Sequence, residues 1–158
     1  MKKLILSFFL ICNVIAFSQN PLIPVIWNAT YADKGNNEGE ITFTATIAEN
    51  WHIYSQRPTT DGPIPTSFTI TSNETNFNVL GKVEEQDAHE EYVKAFEAKV
   101  FVFENQAIFK QKIKRKNSKA FTVNTYLEFM TCNDIQCLPP KTIEITVSVP
   151  AVILRSKL

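Results

Sequence analysis

The chain has 158 residues, of which 44% are hydrophobic and 11% aromatic, and this composition supports one folded domain with a substantial core. Sixteen basic residues balance sixteen acidic ones, so no strong net charge is present to attract nucleic acid or an anionic membrane. The chain contains neither the GxGxxG nor the GxxxxGK[ST] pattern, which argues against a phosphate-binding loop.

Residues 1–18 have the pattern of a secretory signal peptide. Two lysines precede an apolar run over 4–17, and small residues at Ala16 and Ser18 mark a cleavage site after Ser18. The run has about 14 apolar residues, fewer than the ~20 that span a bilayer. We therefore expect an exported protein, periplasmic or otherwise outside the cytoplasm, whose mature domain of residues 19–158 is soluble.

Beyond the signal peptide, apolar and polar residues alternate with a period of two, which is typical of antiparallel strands with one buried face. Ile41, Phe43, Ala45 and Ile47, for example, alternate with three threonines. The same pattern predicts strands near 24–32, 40–48, 51–56, 66–71, 76–84, 98–103, 107–115, 120–129 and 141–149. Short strands separated by turn residues predict an all-β fold, a two-sheet antiparallel β-sandwich.

Two charged clusters stand out against this pattern. Six basic residues fall within 110–119 and partly alternate with Phe109 and Ile113, which favours the solvent-exposed face of a hairpin over a nucleic-acid or lipid site. The acidic residues of 84–91 lack strand alternation and predict an exposed loop. Residues 88–98 are the segment best suited to a helical turn.

Two cysteines remain after signal-peptide removal, Cys132 and Cys137. An exported protein meets an oxidising compartment, in which nearby cysteines form disulfides. If residues 133–136 make a four-residue turn, the cysteines oppose each other with Cα atoms about 4.5–5.5 Å apart, which permits a disulfide. A ring of this size stabilises a fold by about 2 kcal/mol at most. On chemistry alone, a structural bond and a redox-active bond are equally open.

Other chemistries have weaker support in the sequence. His52 and His89 are not spaced as a ligand pair with each other or with a cysteine, so we expect no metal and no other cofactor. Neither histidine lies close in sequence to a cysteine, as a protease-like pair would suggest. Trp27 and Trp51 leave a carbohydrate-binding domain as a third interpretation, with no specific spacing behind it.

Residues 126–141, an aromatic-led strand followed by Cys-x4-Cys-Leu-Pro-Pro, resemble the redox motif of the N-terminal periplasmic domain of the thiol:disulfide interchange protein DsbD. The segment 51–55 is similar to the aromatic strand of that domain, and the resemblance spreads over most of 22–150. It implies an immunoglobulin-like antiparallel β-sandwich with an inserted cysteine-bearing hairpin. It also implies a domain that takes electrons from a membrane-embedded donor and reduces oxidised thiol proteins outside the cytoplasm.

The resemblance assigns the cysteines different roles. Cys137 matches the cysteine that forms the mixed disulfide with partners, and Cys132 matches its resolving partner. The spacing is one residue shorter than in the best-known members of the family. Because the sequence ends at Leu158 with no transmembrane region, we expect the electron donor to be a separate polypeptide. The alternative function is a non-catalytic binding or structural sandwich in which the Cys132–Cys137 bond only pins a hairpin.

The resemblance also implies an aromatic cap that shields the cysteines. Its counterpart is expected within Glu90–Phe96, and the cap and neighbouring candidates are Tyr92, Glu91, Phe96 and Tyr54. Acidic side chains at Asp134 and Glu128 would further disfavour a nearby thiolate. The alternative is that Tyr92 and Phe96 fill the sandwich core.

Overall fold

The structure, a computed structural model, describes residues 22–60, 62–71 and 75–152. The signal peptide predicted over 1–18 lies outside these residues. In chain order, the strands are β1 (Val25–Gly35), β2 (Glu38–Ile47), β3 (His52–Tyr54), β4 (Ser67–Ile70), β5 (Phe77–Gln86), β6 (His89–Val93), β7 (Ala98–Glu104), β8 (Gln106–Arg115), β9 (Phe121–Cys132) and β10 (Cys137–Val149). A 3-10 turn, Lys94–Phe96, follows β6. Within the described ranges, no helix is long and apolar enough to cross a membrane.

The strands form two antiparallel sheets, which confirms the predicted all-β sandwich. The first sheet has the order β1-β2-β8-β5, and the second has the order β10-β9-β3-β7-β6, with β4 also paired to β9. Each of the nine predicted ranges coincides with a strand. Asn36 and Asn37 close the first hairpin with φ angles of 53° and 64°, a left-handed backbone that asparagine tolerates better than most residues.

The main core lies between the two sheets, where the apolar face of one sheet packs against the apolar face of the other. Phe109 is fully buried at its centre, with ring centroids 5.8 Å from Trp27, 5.0 Å from Phe68 and 5.2 Å from Phe103. Trp51 is also buried in this cluster. Because Trp27 and Trp51 pack into the core, they do not offer the exposed aromatic platform on which a carbohydrate-binding interpretation depends.

The prediction of a loop for the acidic residues of 84–91 is wrong. Residues 84–86 complete β5, and residues 89–91 begin β6, which pairs with β7. Strand pairing accommodates these charges at the surface: the Glu84 carboxylate lies 3.0 Å from the ammonium of Lys112 on β8. Tertiary pairing therefore overrides a weak local pattern. A helical turn does occur within 88–98, at Lys94–Phe96.

The interpretation of the basic cluster as one face of a hairpin is also wrong. β8 belongs to the first sheet and β9 to the second, so the basic connection passes between sheets. Lys112 and Lys114 are exposed as expected, but Arg115 is 3% exposed. Its guanidinium donates to the carbonyl oxygens of Pro150 at 2.8 Å and Lys119 at 2.9 Å. Arg115 shares the parity of Phe109 and Ile113, which places it on the buried side.

Candidate functional site

The cysteine hairpin is formed by the ends of β9 and β10. Cys132 and Cys137 are directly opposed in the register and form a disulfide with Cα atoms 4.0 Å apart. Asn133 organises the turn between them, since its side-chain oxygen accepts the backbone N–H groups of Ile135 at 2.9 Å and Gln136 at 2.8 Å. The predicted four-residue turn is therefore present, and its own hydrogen bonds help to keep the two cysteines opposite each other.

The two cysteines differ in burial. Cys132 is fully buried, whereas Cys137 is partly exposed and lines a cleft of about 370 Å³. The other residues lining the cleft are His52, Glu91, Tyr92, Val93, Lys94, Asn133 and Asp134. A partner approaching from solvent therefore reaches Cys137 before Cys132.

Beneath the cleft, the disulfide belongs to a second, smaller hydrophobic cluster, which we call the outer cluster. Its buried members are Tyr54, Val93, Val100, Val102 and Cys132, and Phe96, Ala98, Met130 and Cys137 pack against them. The cluster lies on the face of the second sheet that points away from the main core. Residues 51–55 are all buried, because Ile53 packs into the main core while Tyr54 packs into the outer cluster.

The outer cluster is covered by β6 and the 3-10 turn, residues 89–96, which we call the cap segment. β6 pairs along one edge with β7, and Val93 is its buried residue. Phe96 is partly buried and meets the Tyr54 ring edge-on, with centroids 6.1 Å apart. The cap segment is thus an edge element placed over the disulfide.

The four cap candidates lie in two settings, since two of them line the cleft and two pack in the outer cluster. Tyr92 is 57% exposed and lines the cleft, so it does not fill the sandwich core. Phe96 packs on the outer cluster, and Tyr54 is buried within it. Glu91 is half-buried, and one of its carboxylate oxygens is buried with no hydrogen-bond partner among the described residues.

The two acidic residues near the cysteines in sequence lie at different distances from them. Asp134 lines the cleft together with Cys137. Glu128 lies on β9 opposite Thr142 and Ser67, four residues before Cys132. Four residues of strand span about 13 Å. Solvent screens a charge over such a distance, so Asp134 rather than Glu128 can act on the cysteines.

His52, which its sequence distance from the cysteines argued against as a site residue, does belong to this site. Its backbone pairs with Cys132 on one side and Glu104 on the other, and its Nε2 lies 3.0 Å from the Tyr54 hydroxyl. Burial lowers the pKa of His52 below its usual 6.5, because the imidazolium loses hydration. One feature of the sequence could have pointed to His52. Residues 51–55 do not alternate between apolar and polar, which indicates a strand that is buried on both faces.

The Tyr54 hydroxyl stays protonated at neutral pH. Burial, and secondly the negative charge of Glu91, raise the pKa of Tyr54 above its usual value. The hydroxyl is therefore a stable hydrogen-bond partner for the His52 ring. The two rings also meet edge-on, with centroids 5.2 Å apart.

In the part of the chain that the structure describes, no three His, Cys, Asp or Glu side chains are grouped as a metal site. Cys132 and Cys137 are bonded to each other. His89 lies 3.7 Å from the carboxylate of Glu104, at the exposed edge of the second sheet.

Comparison with known proteins identifies the family. A family model described as "Thiol:disulfide interchange protein DsbD, N-terminal" matches residues 21–149. The chain belongs to this DsbD N-terminal family. The match spans both sheets and the cysteine hairpin, and it confirms the resemblance that the motif around Cys132 and Cys137 indicated.

A solved structure of a DsbD N-terminal domain has the same fold as this chain. The reduced N-terminal domain of DsbD from Neisseria meningitidis aligns with a TM-score of 0.50 at 13% identity, over 78% of this chain and 86% of that chain. The N-terminal periplasmic domain of ScsB from Proteus mirabilis aligns with a TM-score of 0.49 at 14% identity, over 80% of this chain and 47% of that chain. A search of curated proteins found no match. The sandwich is thus immunoglobulin-like, as predicted.

Proposed function

We propose that this protein is an exported thiol–disulfide exchange module, in which Cys137 forms the mixed disulfide with partner proteins and Cys132 resolves it. The observation that carries the proposal is the unequal burial of the two cysteines, because Cys137 lines an open cleft while Cys132 is fully buried. Membership of the DsbD N-terminal family supports the same chemistry.

The exchange proceeds in two steps that balance. The Cys137 thiolate attacks the disulfide of an oxidised partner, and one partner sulfur leaves as a thiolate. The Cys132 thiolate then attacks the Cys137 sulfur and releases the second partner sulfur. The partner gains two electrons, and this chain is left with its disulfide. A membrane-embedded thiol donor would restore the dithiol by the reverse sequence.

Oxidised periplasmic thiol proteins are the proposed acceptors, and residues 1–18 are the proposed export signal. The cap segment is the proposed shield, with Tyr92 at the mouth of the cleft and Phe96 and Tyr54 packed beside the disulfide. Because β6 is an edge strand that pairs only with β7 among the described strands, its displacement would break that one pairing and leave the other strand pairs in place. Docking of a partner would displace it and open Cys137.

In the competing function, the Cys132–Cys137 disulfide only stabilises the hairpin. The other contacts of the hairpin indicate that it does not depend on this bond. β9 and β10 are paired from Phe121 opposite Val149 up to the two cysteines. Asn133 also closes the turn with its own hydrogen bonds. A six-residue ring adds about 2 kcal/mol at most to such a hairpin. The bond therefore contributes little that the strand pairing does not already supply.

Partner trapping tests the proposal with a matched pair of variants. Cys132→Ala leaves the accessible cysteine without its resolving partner, so we expect mixed disulfides with exported thiol proteins to accumulate at Cys137. Cys137→Ala leaves a buried cysteine, and we expect several-fold less capture. Equal capture by both variants, or none by either, contradicts the proposal.

The reduction potential separates exchange from a structural bond. Equilibration of the purified protein with glutathione buffers should give a potential above about −300 mV, the upper limit typical of structural disulfides in secreted proteins. A lower potential would favour the structural function.

A further inference from the structure

A row of side chains crosses the outer face of the second sheet, with one residue from each of four strands. The register pairs Cys137 of β10 with Cys132 of β9, and Cys132 with His52 of β3. On the other side of His52 lies Glu104 of β7. Directly opposed residues share a face and have Cβ atoms about 4.5–5.5 Å apart. His52 is therefore a direct cross-strand neighbour of the buried cysteine.

The resolving step poses a chemical difficulty for that cysteine. Cys132 must act as a thiolate, since the thiolate rather than the thiol is the nucleophile. Cys132 is fully buried, and the outer cluster around it is mainly aliphatic and aromatic. Apolar surroundings disfavour a thiolate. A base beside Cys132 would remove the proton as the sulfur attacks.

We propose, building on the exchange function above, that His52 accepts the proton of Cys132 when Cys132 resolves the mixed disulfide. The Cys132 sulfur forms a bond to the Cys137 sulfur, and the bond between Cys137 and the partner breaks. The partner sulfur leaves as a thiolate, and the His52 imidazolium returns the proton to it or to water. This chain is oxidised, the partner is reduced, and no further reactant is required.

The setting of the His52 ring suits this role. In the tautomer in which Nε2–H donates to the Tyr54 oxygen, 3.0 Å away, Nδ1 remains as the proton acceptor. The Tyr54 contact also fixes the ring on the outer face. Burial lowers the pKa of His52, so the imidazole is neutral at pH 7 and able to act as a base.

Charged groups on the surrounding elements stabilise the imidazolium that this step forms. The carboxylates of Glu91 on β6, Glu104 on β7 and Asp134 in the cysteine turn raise the pKa of His52. The neighbouring His89 lowers it. Glu91 has a buried carboxylate oxygen without a hydrogen-bond partner among the described residues. That oxygen is available to the positive charge of His52 in a site of low polarity.

A two-phase experiment isolates the proposed step. Reduced protein is mixed with the aromatic disulfide 5,5′-dithiobis(2-nitrobenzoate), and release of the coloured thiolate is followed by stopped flow. The first equivalent reports attack by Cys137, and the second reports resolution by Cys132. We expect His52→Gln to slow the second phase at pH 7 by at least tenfold, in line with general base catalysis, and to change the first by less than twofold.

A substitution to glutamine on the other sheet supplies the matched control. Lys114→Gln changes an exposed side chain on β8 of the first sheet, and we expect both phases to stay within twofold of wild type. The pH dependence adds a readout that a packing defect would not move. In wild type the second phase should decline in acid as His52 becomes protonated. In His52→Gln it should follow thiol ionisation alone and approach the wild-type rate at high pH.

The outcomes separate the two proposals. Two phases in wild type with an unchanged second phase in His52→Gln would overturn the role of His52 and leave the exchange function intact. A single equivalent released by wild type would overturn the exchange function itself. If His52→Gln does not fold, Tyr54→Phe keeps the ring packing and removes the hydroxyl that positions His52. A several-fold slower second phase then supports the proposal, and an unchanged second phase and pH profile overturn it.

Discussion

The main core and the outer cluster are both hydrophobic, but they are built differently. The main core lies between two full sheets and is centred on packed aromatic rings such as Phe109. The outer cluster lies on one sheet alone, under the short cap segment, and contains the disulfide and Tyr54. The large, doubly covered region can hold the fold, while the small, singly covered region can expose its contents to a partner.

The polar groups of the two regions differ in the same way. Arg115, the buried last residue of β8, donates to carbonyl oxygens with both terminal nitrogens. Near the disulfide, Glu91 keeps a buried oxygen without a partner in the described chain, and burial lowers the pKa of His52. Buried polar groups that lack a hydrogen-bond partner, or whose pKa is shifted, are common at functional sites. This contrast suggests that stability and chemistry reside in different parts of one domain.

The largest expected effect is on the main core. Phe109→Ala removes a fully buried ring that contacts three other aromatic residues, so we expect the free energy of unfolding to fall by about 3–5 kcal/mol. Urea denaturation followed by fluorescence measures the change. Phe96→Ala in the outer cluster is the matched variant, and it should cost clearly less because that ring is only partly buried. Equal losses would erase the distinction between the two regions.

Loss of the disulfide should have an intermediate effect. Reduction of Cys132–Cys137 removes a six-residue ring, so we expect a loss of about 2 kcal/mol or less in the free energy of unfolding. Denaturation curves recorded with and without reductant give the difference, and the Cys132→Ala/Cys137→Ala double variant controls for effects of the reagent. A loss well above 3 kcal/mol would assign the bond to the fold rather than to exchange.

The smallest effect on stability should come from the mouth of the cleft. Tyr92 is 57% exposed, so Tyr92→Ala should change the free energy of unfolding by no more than about 0.5 kcal/mol. If Tyr92 shields the cysteines, the same change should speed modification of reduced Cys137 by a small disulfide several-fold. Tyr126→Ala alters another exposed tyrosine, six residues from Cys132 along β9, and should leave the rate unchanged. Equal rates in both variants would remove Tyr92 from the shield.

The sequence predicted the sandwich well because alternation reports burial directly. Ile41, Phe43 and Ala45 occupy alternate positions of β2, and all three are buried in the main core. β6 escaped prediction because one buried residue, Val93, and pairing with β7 suffice to hold an otherwise charged edge strand. The residues of β6 alone do not reveal that it pairs with β7.

The candidate site was predictable where its residues are close in sequence and not where they are distant. Cys132 and Cys137 flank a single turn, so their spacing alone indicated that they oppose each other. His52 meets Cys132 through a pairing that joins residues 80 positions apart, as the register of β3 and β9 shows. Register between distant strands depends on the whole sheet, and periodicity within one strand does not determine it.

The burial of β3 on both faces has a consequence for protein engineering. Ile53 belongs to the main core, while His52 and Tyr54 lie on the face that carries the disulfide. Changes on the strands of the first sheet therefore affect the main core alone, but a redesign of β3, like one of β7 or β9, alters both regions together. A graft of the cysteine hairpin onto another sandwich scaffold would need to carry β3 with it, since the transplanted loop alone would leave its neighbouring imidazole behind.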